Sequence, residues 1–171
     1  LVPEQSYTDF GNQIKMSKIM EDAIDEKSKS IKEAQFLAQA TPLIGAEAAS
    51  KSLDQLKINY YEISDNFPLY EKTALKYYQN PETFPATEML KAAWIFSEKA
   101  TNKESLKTAA TWAEKIVMQG ETAENTYILA MLYFKSGKKD EAKIYANYSA
   151  QLAKTSGKDA SMAEKLLTQI K

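Results

Sequence analysis

The sequence predicts an all-α fold of about seven to eight helices, arranged as antiparallel hairpins, on three observations. Apolar residues recur at three- and four-residue spacings almost throughout, the period of a helix with one buried face. Only five glycines and five prolines occur in 171 residues, and most of them fall between the periodic segments. Runs of alternating polar and apolar residues, the mark of strands, are scarce. Short turns between the segments make antiparallel neighbours the default topology.

The first segment has Thr8 or Asp9 as its candidate N-cap and carries Phe10, Ile14, Ile19 or Met20, Ile24, Ile31, Ala34 and Leu37 at helical spacing. Its polar middle, 25–30, leaves open one long helix or two. Thr41-Pro42 followed by Gly45 should end it, because the residue before proline avoids the α region and glycine takes the left-handed turn. A second helix is expected over 46–64, with Leu53, Leu56, Tyr60 and Ile63 on one face and Glu47 paired to Lys51. Asp65-Asn66 makes a corner, and Pro68 suits the first turn of a third helix through Tyr70, Ala74 and Tyr77. Asn80-Pro81 and Pro85 bracket a loop. A fourth helix over 86–99 should bury Leu90, Ala93, Trp94 and either Phe96 or Ser97. Asn102 caps a fifth that ends at Gly120, Thr122 caps a sixth that ends at Gly137, and a seventh runs over 140–155. The last, over 160–170, is amphipathic through Met162, Leu166, Leu167 and Ile170.

Composition removes several classes of function. All 22 basic residues are lysine, and arginine, histidine and cysteine are absent. No disulfide framework, thiolate nucleophile or cysteine zinc site can be built, and the commonest metal ligand and neutral-pH proton shuttle are missing. With 23 acidic residues the net charge is −1, and there is no arginine to pair with phosphates or guanine edges, which argues against nucleic acid as a partner. No apolar run reaches the 18 or so residues that span a bilayer. Neither a cofactor nor a metal is expected. A chain of this length buries roughly 68–70% of its unfolded surface, enough for a core without staples. One helical domain over 1–171 is therefore expected: N-terminal helices in 1–45, a degenerate hairpin in 46–85, a hairpin in 86–120, the best-formed repeat in 121–156 and a capping helix in 158–171.

Comparing the chain with itself brings out a repeat. Ala109 and Ala113 recur 33 residues later as Ala142 and Ala146. Leu129, Ala130 and Tyr133 precede Gly137, and Ala142, Ala146 and Ser149 follow it. This order resembles a tetratricopeptide repeat, whose first helix carries leucine, a small residue and tyrosine, whose turn carries glycine and whose second helix carries small residues. The resemblance implies a right-handed superhelix of stacked hairpins, in which small residues allow close approach within a hairpin. In the preceding copy Ala92, Ala93 and Phe96 occupy the matching positions, followed by a turn about four residues longer. Thr126 stands where the family prefers tryptophan, Ala146 where it prefers a bulky aromatic, and Lys154 where proline usually closes the repeat.

A longer resemblance rests on Tyr60-Tyr61-Glu62, Thr73-Ala74-Leu75-Lys76-Tyr77, Ala93-Trp94, Trp112-Ala113-Glu114-Lys115, the run from Leu132 to Lys138, Glu141-Ala142 and the closing Ala163-Glu164-Lys165-Leu166-Leu167. These are similar to the C-terminal helical region behind thioredoxin-fold domains in a group of bacterial cell-envelope proteins. That likeness implies a periplasmic or otherwise exported protein. The chain carries no Cys-x-x-Cys and no signal-peptide pattern, and the opening Leu1-Val2-Pro3 is expected to belong to a trimmed or mature form.

The repeat resemblance places Glu124, Tyr127, Met131, Phe134 and Lys135 on a concave face, with Thr87, Leu90, Trp94, Ser97 and Glu98 in the earlier copy. Trp94, Tyr127, Met131, Phe134 and Lys135 are the candidate partner-binding groove, an apolar and adaptable surface for a peptide or helix. Ala93, Phe96, Ala109, Ala113, Leu129, Ala130, Tyr133, Gly137, Ala142 and Ala146 are the candidate residues of the repeat's own contacts. Aromatic residues at helical spacing equally serve plain helix contacts. In Tyr60-Tyr61 and Tyr77-Tyr78 one ring should face inward and its neighbour point about 100° away. Asp25-Glu26 and Asp140-Glu141 lie beside lysines and read as solvated faces rather than an acid and base pair. The expected function is a non-catalytic module that binds a protein or peptide, including a thioredoxin-like domain of the same polypeptide. The alternatives are self-association through the first helices, and a helical domain that binds a small molecule.

Overall fold

A computed structural model describes residues 4–170, with side chains described from Gly11 to Ile170. Among the described residues the chain is all-α apart from one two-stranded ribbon. Its elements are α1 (Glu4–Ala23), β1 (Ile24–Asp25), β2 (Ser30–Ile31), α2 (Glu33–Ile44), α3 (Ala46–Ile63), α4 (Phe67–Tyr77), a 3-10 turn (Pro81–Thr83), α5 (Ala86–Lys99), α6 (Lys103–Gln119), α7 (Ala123–Ser136), α8 (Lys139–Thr155) and α9 (Ser161–Gln169). Backbone contacts group these into two compact units, Leu1–Thr73 and Ala74–Lys171, where the sequence reading treats the chain as one domain.

The opening segment is two helices, which makes nine α-helices among the described residues rather than seven or eight. The cause is the polar turn between them. The Asp25 carboxylate accepts from the Lys27 and Ser28 amides at 3.1 and 3.3 Å, Lys29 adopts φ 50°, and β1 pairs antiparallel with β2 in the register Ile24 to Ile31. A bond from the Ser28 side chain first, and then the Ser28 and Lys27 amides, hold the Asp25 carboxyl below its ordinary range. An aspartate that bonds amides just ahead of it competes with the helix ladder and ends it.

Two expected helix ends move. Helix α1 already includes Thr8 and Asp9, so neither is its N-cap, and the side chain of Phe10 lies outside the described ones. Helix α2 continues through Pro42 and stops only at Gly45, φ 82°. Pro42 is in the last turn, where the carbonyl that its missing N–H leaves free belongs to exposed Ala38, and the Gly45 amide still closes onto the Thr41 carbonyl at 2.9 Å.

Three buried faces are also rotated from expectation. Helix α2 buries Phe36 and Ala40 while Ala34 is exposed, and Ile14 of α1 is 57% exposed. Helix α3 buries Ala49, Leu53, Ile58 and Tyr61, whereas Ile63 is 83% exposed. Helix α5 buries Met89, Ala92, Ala93, Phe96 and Ser97, with Leu90 and Trp94 half-buried. A three- and four-residue period is satisfied by adjacent stripes, and only contact chooses between them. Both tyrosine pairs divide as their 100° step requires, Tyr61 and Tyr78 inward, Tyr60 and Tyr77 half-exposed.

In the first unit α2 lies against both α1 and α3. Lys57 bridges to Glu33 at 2.7 Å, and the turn before β2 is held to the end of α3, with Lys29 Nζ donating to the Ser64 carbonyl at 3.0 Å. In the second unit each helix contacts the next from α5 to α9, and α7 also contacts both α5 and α9. Local chemistry explains the ends. The Asn102 side chain accepts from the Glu104 and Ser105 amides, and Thr122 and Asn125 form a reciprocal capping box. Gly137 closes α7 in the left-handed region at φ 94°. The core of this unit centres on Trp112, whose ring meets Phe96 at 5.2 Å and Tyr78 at 5.6 Å.

Candidate functional site

Small residues set the spacing between the helices that build the site. Ala93, Phe96, Ala109, Ala113, Leu129, Ala130, Ala142 and Ala146 have no exposed surface, and Tyr133 is buried beside them. Alanine allows close helix approach at these positions. Thr126, at the position where tryptophan is usual in the resembling repeat, is fully buried, and its hydroxyl donates to the Thr122 carbonyl at 2.6 Å. Ser149 on α8 donates to the Ala123 carbonyl at 2.6 Å and fastens α8 to the start of α7.

Two of the five candidate groove residues line one cleft and three lie outside its lining. Trp94 and Tyr127 come together, ring centroids 6.4 Å apart and tilted by 40°, and both line a half-open cleft of about 420 Å³. Met131, Phe134 and Lys135 are half-buried and lie outside the lining of that cleft. Lys135 is occupied elsewhere: its ammonium donates to the Ser97 carbonyl and, at 3.0 Å, to the Glu98 carbonyl, at the C-terminal end of α5. It completes a helix terminus, where unpaired carbonyls and the helix dipole both favour a cation.

Apart from Glu124 and Ser149, the rest of the cleft is built by residues the repeat resemblance did not single out. The floor is Ala123 of α7 with Ser149 and Ala153 of α8, and the far wall is Ala160, Met162 and Ala163 around the first turn of α9. Glu124, Lys158 and Asp159 supply charge at the mouth, all of them exposed. Asp159 anchors that wall by accepting from the Ser161 amide at 2.9 Å and the Ser161 hydroxyl at 2.7 Å, and these bonds, the side-chain one first, hold its carboxyl below the ordinary range. Burial, with a smaller contribution from the Glu98 charge, pushes the Tyr127 phenol upward. The sequence signal for this wall was the run of alanines at 150, 153, 160 and 163, which form one buried cluster with Ala123 and Tyr127 packed on it.

A second cleft, of about 480 Å³, lies over α5 and α6. Phe84, Met89, Trp112 and Ile116 line it, the ion pair of Lys115 with Glu82 at 2.9 Å crosses its edge, and Met118 stands 86% exposed. Tyr133 lies outside both clefts. Its hydroxyl donates to the Glu114 carboxylate at 2.6 Å, and burial followed by that bond drives its phenol far above the ordinary range. Among the described residues no three Asp, Glu, His or Cys side chains are grouped to hold a metal ion, and no helix is long and apolar enough to cross a membrane.

Fold and cleft together define an all-α protein whose second unit is a series of consecutively packed helices with an aromatic-edged, alanine-floored cleft. No protein-family model, no curated protein and no solved structure matches the chain significantly.

Proposed function

We propose that the second unit is a non-catalytic, tetratricopeptide-like helical-hairpin module that binds a peptide or helix of another protein through the cleft edged by Trp94 and Tyr127. The observation that carries this reading is the cleft itself. It is half-open, mostly apolar, about 420 Å³ in volume and ringed by a few polar groups, the character of a recognition site rather than of a filled core. The contacts of α7 with α5 and α9, alternating with the consecutive pairs, are the neighbour relations of stacked hairpins and support the repeat reading. The likeness to helical regions behind thioredoxin-fold domains adds the context we propose: an exported protein whose partner includes such a domain.

Peptide-library selection on the whole chain tests this directly. Peptides enriched on the protein should lose at least about tenfold in affinity on a Met162→Lys variant, because Met162 lines the cleft yet is 50% exposed and can be replaced without unfolding the helix. Selected peptides that bind both forms equally would sink the cleft as the site. Exposed Ile14 and Ile63 in the first unit favour self-association as a second reading. Light scattering across a concentration range tests it, and a monomer throughout dismisses it.

A further inference from the structure

The cleft over α5 and α6 differs in chemistry from the one edged by Trp94 and Tyr127. Its floor is buried Met89, Trp112 and Ile116, and its rim is half-buried Phe84 with exposed Lys115 and Met118. The rings are braced. Trp112 meets Phe96 and Tyr78 edge-on at 5.2 and 5.6 Å, and Phe84 lies 4.9 Å from both Tyr77 and Tyr78. Rings held from two sides keep their places beside an open volume of about 480 Å³, inside the range of about 300–1,000 Å³ that small-molecule sites span. Met118, 86% exposed, puts a large apolar side chain into water at the rim, and methionine adapts readily to the outline of an apolar ligand.

Lys115 and Glu82 are the two charged residues of the lining. They pair at 2.9 Å with more than half of each side chain exposed, where an ion pair contributes little and a ligand's charge readily replaces one member. The setting selects which member leaves. Glu82 stands on the three-residue 3-10 turn Pro81–Thr83, so its carboxylate swings outward into water. Lys115 belongs to α6, the 17-residue helix that also supplies Trp112 and Ile116, and it stays beside the apolar floor. Helix α5 also begins here: Ala86 lines the cleft, and Pro85, at the N-cap, offers no side-chain bond to the first amides. An uncapped helix start adds partial positive charge to that of the lysine. Glu88, the acidic residue of that first turn, lies outside the lining and accepts from the Tyr78 hydroxyl at 3.1 Å.

We propose that this cleft is a second binding site, for a small amphipathic anion. Its apolar body lies on Phe84, Met89, Trp112, Ile116 and Met118, and its single carboxylate or sulfonate takes the place of Glu82 on the Lys115 ammonium. The exchange leaves the charge of the lysine matched throughout. The site shares no lining residue with the cleft edged by Trp94 and Tyr127, so it stands or falls separately from peptide binding there.

The test titrates the full chain with anilinonaphthalene sulfonate, an aromatic anion whose fluorescence rises in apolar surroundings, and with phenylnaphthylamine, the same body without the sulfonate. The sulfonate should bind saturably. Lys115→Gln should weaken it about tenfold, the effect of one charge-assisted hydrogen bond, and Met118→Glu should weaken it about as much. Glu82→Gln removes the competing carboxylate and should tighten binding about threefold. Phenylnaphthylamine should bind the Lys115→Gln variant as it binds the parent. All three substitutions are at exposed positions, and circular dichroism checks that each variant stays folded. Monomeric decanoate should displace the sulfonate, whereas inorganic phosphate at the same concentration should not. No saturable binding, equal binding to the parent and all three variants, weaker binding to Glu82→Gln, or displacement by phosphate overturns the proposal. Sedimentation of the chain with anionic phospholipid vesicles that is lost in Lys115→Gln would overturn a free small molecule as the occupant.

Discussion

Replacing Lys135 by methionine separates a ligand-holding role from the one its contacts describe. The ammonium joins α7 to two carbonyls at the end of α5, those of Ser97 and Glu98. Hydrogen bonds that involve a charged group contribute about 1.5–3 kcal/mol each, and a cation at a helix C-terminus about 0.3–1 kcal/mol. Lys135 is half-buried, so water can replace part of what is lost, and the two bonds share one ammonium. The expected destabilisation is therefore about 2 kcal/mol, below the sum of the separate contributions. The chain's two tryptophans, Trp94 and Trp112, both lie in the second unit, so their fluorescence during urea unfolding reports that unit alone. With a slope of about 1–3 kcal/mol per molar urea, the midpoint should fall by about 1 M. Lys135→Arg, which keeps a cation and several donors, should recover most of the loss. A methionine variant within about 0.5 kcal/mol of the parent refutes the reasoning and returns Lys135 to the list of residues free to meet a ligand.

Three further outcomes are expected. Gly137→Ala should cost about 1–2 kcal/mol because Gly137 has φ 94°, whereas Gly120→Ala, at an extended φ of 168°, should be neutral or slightly stabilising. A methyl group at either position meets nothing within 4 Å, so paired urea melts compare backbone conformation alone. Tyr133→Phe should destabilise by about 1–2 kcal/mol through loss of the bond to Glu114. The folded phenol titrates above its unfolded value, so its stabilisation is fully present below about pH 10 and is lost as pH rises through the folded value. Alkaline melts of the variant should show a shallower decline than those of the parent. Asp159 titrates below its ordinary 3.8, so its cap on α9 persists at neutral pH and is lost as pH falls through the lowered value. Amide exchange at 161–164 should accelerate selectively at that acid end, and Asp159→Ala should show the accelerated rate at pH 7.

The legible parts of the fold were those controlled within one or two turns of chain. Asn102 and Thr122 cap the helices they precede because a side-chain oxygen two or three residues back satisfies an otherwise free amide. Helix α5 begins and ends where Pro85 and the Ala100-Thr101-Asn102 corner place it. Stripe choice was less legible, as Leu90 and Trp94 illustrate: helical periodicity is shared by two adjacent faces, and Met89 and Ala92 took the inner one. Of the candidate groove, Trp94 and Tyr127 meet in the cleft, while Lys135 finds carbonyls 37 and 38 residues away that no spacing rule could indicate.

By itself the sequence determined that this protein is helical, where most of its helices stop, and that chemistry based on cysteine, histidine or arginine side chains is closed to it. Those properties depend on residue identity and on groups within hydrogen-bonding reach along the chain. Only the tertiary structure decided that contacts fall into two units, that α9 rests on alanines and walls a cleft, and that Lys135 closes the end of α5. Each of these depends on side chains far apart in sequence, where small differences in contact select among faces that the local pattern leaves equal.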